Sequence, residues 1–319
     1  MKTIKINFVD PEDPSLIKDF LVDVLSLKYN VELSEKPDYL FYGVFGNSHH
    51  TYDGIRIFYT GENVVPNFNY CDYALGFNYI EFEDRYMRLP LWLLYKENLL
   101  TALNKSKFDK RALDRKFCCA VISNTKQTDG FREEFLKKLN TYKQVDSGGK
   151  YKNNVGGRVA NKVEFQKKYK FSLAFENVSV NGYCTEKILD SFASGTIPIY
   201  YGDKTVVQDF NPKAFINCHD FSSIDEVIER IRQIDNNPQE YLKMLNEPVF
   251  KDGKLPEKYN NENILKFLSN IFDPPIEQAK RRKLIKPYMD FDYTHMKKRD
   301  VSLVVKYFLK SRISKIIKK

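Results

Sequence analysis

The chain has 319 residues, of which 42% are hydrophobic and 14% aromatic, so it can bury the cores of two ordinary domains and is not a disordered polypeptide. The net charge of +9 comes from residues 276–319, which hold 14 Lys or Arg against 4 Asp or Glu, whereas residues 1–275 are nearly neutral. A nearly neutral body does not favour nucleic-acid binding as the main function.

The cysteine content argues against a disulfide framework and against structural zinc. The five cysteines form an odd set with no CxxC pair, and they stand at Cys71, Cys118, Cys119, Cys184 and Cys218. This usage predicts a reducing compartment. The first apolar stretch is too short for a signal peptide, and no segment offers the roughly 18 apolar residues of a membrane span, so we expect a cytoplasmic protein.

Strand-like and helix-like segments alternate from the N-terminus to a basic, polar connector at 104–116. In this first part, apolar runs predict strands at 4–9, 39–45, 55–60 and 73–77, and helical spacing predicts helices at 16–27 and 91–103. After the connector, strands are predicted at 117–122, 142–145, 171–177, 195–201 and 214–217. Helices are predicted there at 131–139, 162–169, 224–234, 239–245 and 263–271, and another opens at Thr185. Two such runs predict an α/β protein with two doubly wound domains and a cleft between them.

One β-α-β unit carries most of the chemical information. Its strand, loop, helix and second strand fall in the segments FSLAFEN (171–177), GYCTEKI (182–188) and GTIPIYY (195–201). Thr185 is predicted to cap the helix, with Glu186 and Lys187 in its first turn. A helix N-terminus with an added lysine can hold a phosphate, and Glu186 can accept hydrogen bonds from sugar hydroxyls. Because the chain has neither a GxGxxG fingerprint nor a P-loop, a nucleotide-sugar site fits best.

The same three segments resemble the most diagnostic block of the α-1,3/4-fucosyltransferase family, FxxxFEN…GYxTEK…IPIYxG. Further segments resemble family landmarks, in the order FYTGEN (58–63), PNFN (66–69), DYALGF (72–77), VDSGG (145–149), DFNP (209–212) and FINCHDF (215–221). The resemblance covers about residues 1–270. It implies a GT-B fold, in which two Rossmann-like domains face each other across a cleft. The implied parts are an acceptor-binding domain at 1–112 and a GDP-fucose-binding domain at 113–275. Charge and apolar spacing separately predict a basic, amphipathic helical tail at 276–319.

Glu62 is the candidate general base. It stands just past the predicted strand 55–60, and loops beyond the carboxyl ends of such strands form the ligand crevice of open α/β sheets. A carboxylate there could take a proton from a sugar hydroxyl, although an exposed loop glutamate gives the same pattern. The resemblance implies the catalytic role. His49 and His50, at the end of another predicted strand, are the alternative bases.

The donor-binding candidates lie in the second half of the chain. A glycine-rich loop at 146–157 can bring backbone and cations to a phosphate, and Lys150, Lys152 and Arg158 are open alternatives for the cation that clamps the diphosphate. The resemblance implies that Asn177 and Tyr183 contact the diphosphate and fucose end of the donor. The complete predicted donor set is Asn124, Arg132, Lys150, Lys152, Arg158, Asn177, Tyr183, Glu186 and Lys187.

No essential metal ion or other cofactor is expected beside the GDP-fucose donor. A metal-dependent transferase needs a DxD motif that bridges the metal to the diphosphate, and Asp290-Phe-Asp292, which has these letters, lies in the tail. We therefore expect Lys187, the helix dipole and a loop cation to balance the charge of the diphosphate.

Residues 301–319 place apolar side chains along one side at helical spacing and cations on much of the rest. A basic amphipathic helix can lie on anionic lipid, so we expect peripheral contact with the inner face of the membrane. A helix that docks on the body, or a basic arm that binds nucleic acid, would give the same pattern.

Together with these observations, the resemblance implies an inverting α-1,3-fucosyltransferase. It would transfer L-fucose from GDP-β-L-fucose to O3 of N-acetylglucosamine in a lactosamine-type glycan, during synthesis of lipopolysaccharide, capsule or another surface glycan. Two alternatives stay open: a GT-B glycosyltransferase that uses another nucleotide sugar, and a nucleic-acid-binding protein that acts through the basic tail.

Overall fold

The computed structural model describes residues 1–11, 13–123 and 129–282. Residues 1–280 form one compact unit. The predicted tail helix at 301–319 and the donor candidate Asn124 lie outside the described residues. Within the described part, the chain builds two parallel β-sheets with helices between their strands, which confirms the predicted α/β class.

The first sheet has, among the described residues, six parallel strands in the order β2-β1-β3-β4-β5-β6. These strands are β1 (Lys2–Val9), β2 (Tyr29–Leu33), β3 (Tyr39–Tyr42), β4 (Ile55–Tyr59), β5 (Tyr73–Gly76) and β6 (Tyr86–Arg88). Helix α1 (Pro14–Leu25) follows β1, and α2 (Lys96–Leu103) follows β6. Every residue of β3 and β5 is buried, as expected of inner parallel strands that are covered on both faces.

The second sheet has, in the same part of the chain, five parallel strands in the order β11-β10-β9-β7-β8. They are β7 (Lys116–Ala120), β8 (Val145–Ser147), β9 (Tyr169–Phe175), β10 (Ile197–Tyr201) and β11 (Ile216–Asn217). The helices are α3 (Phe131–Tyr142), α4 (Lys162–Gln166), α5 (Glu186–Ala193), α6 (Ile224–Asn236), α7 (Pro238–Leu245), α8 (Asn261–Phe272) and α9 (Ile276–Ala279). None of the helices in the described ranges is long and apolar enough to cross a membrane.

Helix α1 begins where the sequence provides its cap. The carboxylate of Asp13 accepts hydrogen bonds from the backbone N–H groups of Ser15 at 2.9 Å and Leu16 at 3.3 Å. The buried residues Ile17 and Leu21 then anchor the helix on the first sheet. This short connection keeps the start of α1 near the carboxyl end of β1, where the candidate site lies.

Several predicted boundaries are wrong. The segment 142–145 is not one strand, because Tyr142 ends α3 and β8 begins only at Val145. The predicted helix 162–169 ends at Gln166, since Tyr169 already belongs to β9. The predicted helix 91–103 is divided into a 3-10 turn at Leu91–Leu94 and α2. Strands β2 and β6 were not predicted from the sequence.

Helix α8 packs against the first sheet, although it follows the second sheet in the sequence. The ring of Phe272 lies 4.5 Å from that of Tyr39 in β3. The hydroxyl of Tyr29 donates a hydrogen bond to Asp273 Oδ1 at 2.7 Å, and the Lys28 ammonium lies 2.7 Å from Asp273 Oδ2. Helix α8 thus returns the chain from the second sheet to the first, while the domain boundary expected at residue 275 stays a prediction.

Candidate active site

A cavity of about 360 Å³, called the central cavity below, lies where the two sheets meet. The loops after β3 and β4 line it from the first sheet, and the end of β9 and the N-terminus of α5 line it from the second. Five of the predicted site residues share this wall: Glu62, Asn177, Tyr183, Glu186 and Lys187. The structure therefore brings together the candidate base and part of the candidate donor site.

Glu62 reaches the central cavity because β4 ends at Tyr59 and the chain turns there. The Glu62 N–H donates a hydrogen bond to the hydroxyl of Thr60 at 3.0 Å, and Thr60 is itself buried. Burial, together with the charges of Glu176 and Glu62, raises the pKa of the Tyr183 hydroxyl well above its usual range. Both Glu62 and Tyr183, which belongs to the loop between β9 and α5, line the central cavity.

Glu176 anchors the start of α5. Its carboxylate has no exposed surface and follows directly after β9. It accepts hydrogen bonds from the Thr185 N–H at 2.8 Å, the Thr185 hydroxyl at 2.9 Å and the Lys187 ammonium at 2.9 Å. Thr185 occupies the predicted N-cap position but, within the described range 129–282, its hydroxyl makes no capping bond to the helix. Its expected capping bond is replaced by the contact with Glu176.

The charges at the start of α5 stabilise one another. Burial lowers the pKa of Lys187, but the carboxylates of Glu176 and Glu186 outweigh this effect, so its pKa lies above the usual range. Burial raises the pKa of Glu186, but Lys187 and Lys162 outweigh it, so its pKa lies below the usual range. Both side chains are therefore charged near neutral pH, and Lys187 presents a fixed cation to the central cavity.

Arg132 lies beneath the end of β9 and is nearly fully buried. Its guanidinium donates hydrogen bonds to the carbonyl oxygens of Phe175 at 2.8 Å and Glu176 at 3.0 Å, and to Asn177 Oδ1 at 2.6 Å. Arg132 does not line the central cavity but orients Asn177, which does, and its predicted contact with the donor stays a prediction. Burial lowers the pKa of Arg132.

Arg88 ties the loop before α5 to the first sheet. Its guanidinium donates to the carbonyl oxygens of Phe77 at 2.8 Å and Gly182 at 3.1 Å, and it lies 2.8 Å from Asp209 Oδ2. The Gly182 N–H in turn donates to Asp203 Oδ1 at 2.8 Å. This buried ion-pair network sets the position of the loop that carries Tyr183. Sequence reasoning assigned no role to Arg88, Asp203 or Glu176.

The three cations of the glycine-rich loop are exposed and do not line the central cavity. The side chain of Asn153 holds this loop by donating to the carbonyl oxygens of Gly149 at 2.8 Å and Gly157 at 2.9 Å. The structure does not bring Lys150, Lys152 or Arg158 to the cavity that holds Lys187, and their role as diphosphate clamp stays a prediction.

His49 and His50, the alternative bases, also lie outside the lining of the central cavity. The His49 ring stacks on Tyr42 at 4.1 Å, and its Nδ1 lies 3.3 Å from Asp10 Oδ2. Burial lowers the pKa of both histidines. Among the residues that the structure describes, no group of three or more His, Cys, Asp or Glu side chains could hold a metal ion.

Two doubly wound sheets that face one cavity correspond to the GT-B fold. A crystal structure of an α1,3-fucosyltransferase matches with a TM-score of 0.76 at 34% identity, over 89% of this chain and 93% of that chain. The crystal structure of an α1,3-fucosyltransferase with GDP-fucose matches with a TM-score of 0.72 at 33% identity, over 89% and 93% of the two chains.

Two family models match in series. The N-terminal domain of α-(1,3)-fucosyltransferase FucT matches residues 6–95, and the C-terminal part of glycosyltransferase family 10 (fucosyltransferase) matches residues 112–247. The α-(1,3)-fucosyltransferase FucT of Helicobacter pylori is 36% identical over 304 residues, which are 81% of this chain and 63% of that relative. A putative fucosyltransferase of Acanthamoeba polyphaga mimivirus is 28% identical over 232 residues, which are 69% of this chain and 38% of that relative. The chain belongs to glycosyltransferase family 10, the fucosyltransferases. It spans less than two thirds of the length of these two curated relatives.

Proposed function

We propose that this protein transfers L-fucose from GDP-β-L-fucose to a hydroxyl of a glycan, with inversion at the anomeric carbon. The observation that carries the proposal is that Glu62, from the first sheet, and Lys187, from the second, line one cavity. Glu62 can act as a base and Lys187 supplies a cation. Such a transfer needs the base beside the acceptor hydroxyl and the cation beside the leaving diphosphate, on opposite sides of the anomeric carbon.

In the proposed reaction, the Glu62 carboxylate takes the proton of the acceptor hydroxyl. The acceptor oxygen forms a bond to the anomeric carbon of fucose from the face opposite to GDP. The bond from that carbon to the diphosphate oxygen breaks, and its electron pair leaves with GDP. Lys187 and the N-terminus of α5 stabilise the charge that grows on the diphosphate, because both present fixed positive potential to the central cavity.

Donor recognition involves the other side chains of the same wall. Asn177 and Tyr183 line the central cavity beside Lys187, and Glu186 is charged and can accept hydrogen bonds from sugar hydroxyls. We place the diphosphate against Lys187, and Glu186 near the ribose. The family membership and the match to a fucosyltransferase crystallised with GDP-fucose support this assignment.

The acceptor is proposed to be N-acetylglucosamine in a lactosamine-type surface glycan, with transfer to its O3 atom. Peripheral association with the inner face of the membrane through residues 276–319 is proposed from their charge alone, since positions 283–319 lie outside the described residues. Both proposals are independent of the donor assignment.

The experiment that tests the function follows labelled fucose from GDP-fucose into N-acetyllactosamine, in the presence of EDTA. We expect a fucosylated product with GDP-fucose and none with GDP-mannose or UDP-glucose. Calorimetry with GDP runs in parallel. Tight binding of GDP without transfer would reject the acceptor, whereas no binding of GDP or GDP-fucose would reject the donor assignment.

A further inference from the structure

A second cavity of about 380 Å³, called the outer cavity below, lies beside the central cavity along α1 and the start of α2. The two cavities share three lining residues, Leu16, Leu94 and Tyr95. The two cavities are therefore adjacent. For a ligand larger than one sugar in the central cavity, the outer cavity is the neighbouring space on this side of the first sheet.

The lining of the outer cavity suits a carbohydrate. Helix α1 presents Asp19 and Asp23 one turn apart, with Phe20 beside them, and the first turn of α2 presents Glu97. Carboxylates accept hydrogen bonds from sugar hydroxyls, and an aromatic ring offers an apolar surface to the C–H face of a sugar ring. Tyr95 supplies a second ring where the two cavities meet.

The wall of the outer cavity is also held to the donor side. The side-chain amide of Asn98, which lines the outer cavity, donates a hydrogen bond to Asp190 Oδ1 at 2.8 Å. Asp190 belongs to α5, the helix that begins with Glu186 and Lys187, and its other oxygen lies 2.7 Å from the Lys162 ammonium. This contact connects the wall of the outer cavity to the helix that carries Glu186 and Lys187.

The charged side chains that line the outer cavity are mostly carboxylates. The outer cavity has three carboxylates, from Asp19, Asp23 and Glu97, against one ammonium, from Lys96, which lies 3.0 Å from Asp23. Carboxylates therefore outnumber cations in this lining, and an excess of carboxylates disfavours the binding of sialic acids, uronic acids and phosphorylated sugars. Uncharged sugars meet no such penalty.

We propose that the outer cavity binds the sugars of the acceptor that lie beyond the fucosylated residue, and that it selects uncharged oligosaccharides. This proposal rests on the proposed function, because it assumes that the acceptor sugar occupies the central cavity. It assigns to Phe20 the stacking surface and to Asp19 both hydroxyl recognition and charge selection.

The test measures binding of N-acetyllactosamine and of an uncharged tetrasaccharide of two lactosamine units, with GDP present. We expect the tetrasaccharide to bind the unchanged protein about tenfold more tightly, mainly through stacking of one of its added sugars on Phe20. Phe20→Ala should remove this difference and leave the disaccharide affinity unchanged. Equal affinities in the unchanged protein, no binding of either sugar, or an equal loss for both in Phe20→Ala would overturn the proposal.

Charge selection is tested with a sialylated and an unsialylated acceptor of equal length. The unchanged protein should prefer the uncharged sugar, and Asp19→Asn should narrow this preference. The matched control is Asp252→Asn, which removes an exposed aspartate that lines neither cavity and should leave the preference unchanged. No preference, or the same narrowing in both variants, would refute the charge selection.

The two proposals fail in different ways. A protein that transfers fucose but binds short and long acceptors equally would disprove the outer subsite alone. A protein that prefers the tetrasaccharide but transfers no fucose from GDP-fucose would disprove the proposed function. Binding of oligosaccharides in the outer cavity would then still be supported.

Discussion

The ammonium of Lys187 lies 2.9 Å from the Glu176 carboxylate, which has no exposed surface and closes the end of β9. This pair fixes the cation of the central cavity to the sheet rather than leaving it on a mobile side chain. The ammonium has three N–H donors. One donates to the Glu176 carboxylate and a second to the Thr185 hydroxyl at 2.8 Å. Among the residues that the structure describes, the third donor has no hydrogen-bond partner, although Glu186 Oε1 lies 3.8 Å from the ammonium, so this donor can serve an anion in the cavity.

Replacing Lys187 by methionine should both destabilise the protein and weaken GDP binding. The variant leaves the Glu176 carboxylate buried without its cation. We therefore expect the free energy of unfolding, measured in urea, to fall by about 3 kcal/mol. The control is Lys138→Met, because Lys138 pairs at 2.8 Å with an exposed partner, Asp225, and should matter by less than about 1 kcal/mol. Similar losses in the two variants would show that the Lys187–Glu176 pair has no special role.

Replacing Arg88 by lysine should raise the KM for the donor and destabilise the protein by about 3 kcal/mol. A lysine cannot bond Phe77, Gly182 and Asp209 at once, as the guanidinium does. Arg85→Lys is the control, because Arg85 donates to the carbonyl oxygens of Asp72 at 2.8 Å and Cys71 at 2.9 Å within the first sheet. Arg85→Lys should lower the stability of the protein and leave the KM for the donor unchanged. An equal rise of the donor KM in both variants would contradict the role of Arg88.

Gly182→Ala should be far more damaging than Gly130→Ala. Both glycines have a positive φ, +86° and +83°, so alanine is strained by about 1 kcal/mol at either position. A Cβ at Gly182 would lie 2.4 Å from the Phe77 carbonyl oxygen, whereas a Cβ at Gly130 meets nothing within 4 Å. We expect Gly182→Ala to cost about 2 kcal/mol more, measured by urea unfolding, and to weaken GDP binding. Equal costs would mean that the loop can move away from Phe77.

The sequence predicted those parts of the fold that depend on local pattern. The apolar runs of β4 and β9 identified strands, because parallel strands that are covered on both faces carry few polar residues. Strand β2 was missed because it lies at the edge of the sheet and contains exposed polar residues such as Glu32. Strand β6 was missed because it has only three residues.

The candidate site was predicted in part for the same reason. Glu62 and Lys187 stand directly after a strand and at the start of a helix, which are positions that sequence can locate. The roles of Glu176 and Arg88 were missed because their partners are brought close only by the tertiary fold. A usable signal was present, since each is a charged residue at the end of an otherwise apolar strand segment.

Acid should destabilise the protein partly through Asp235. Burial raises its pKa, but hydrogen bonds from Lys143 and Lys170 outweigh this effect, so the pKa lies below its ordinary value. A carboxyl group of this kind adds stability above its unfolded pKa, and that stability is lost as pH falls through the folded pKa, below about pH 4. Asp235→Asn should therefore cost about 2 kcal/mol at pH 7, and much less at pH 3.

The pKa of Asp190 is shifted in the opposite direction from that of Asp235, so Asp190 serves as the comparison. Burial raises its pKa above the ordinary value, so its contribution to stability does not decline as pH falls. Urea unfolding at pH 7, 5, 4 and 3 should show a flatter acid slope for Asp235→Asn than for the unchanged protein, and no flattening for Asp190→Asn. Identical slopes for all three proteins would contradict the assignment.

The central claim is that Glu62 acts as the base opposite Lys187 in one cavity. It is tested most directly by the steady-state rate of fucose transfer to N-acetyllactosamine by Glu62→Gln, with GDP affinity measured on the same sample. Glu81→Gln, which alters an exposed glutamate outside the cavity lining, is the matched control. We predict a fall in kcat of about 100-fold or more for Glu62→Gln, with GDP affinity unchanged, and no fall for the control. A kcat of Glu62→Gln within a few-fold of that of the unchanged protein would contradict the account.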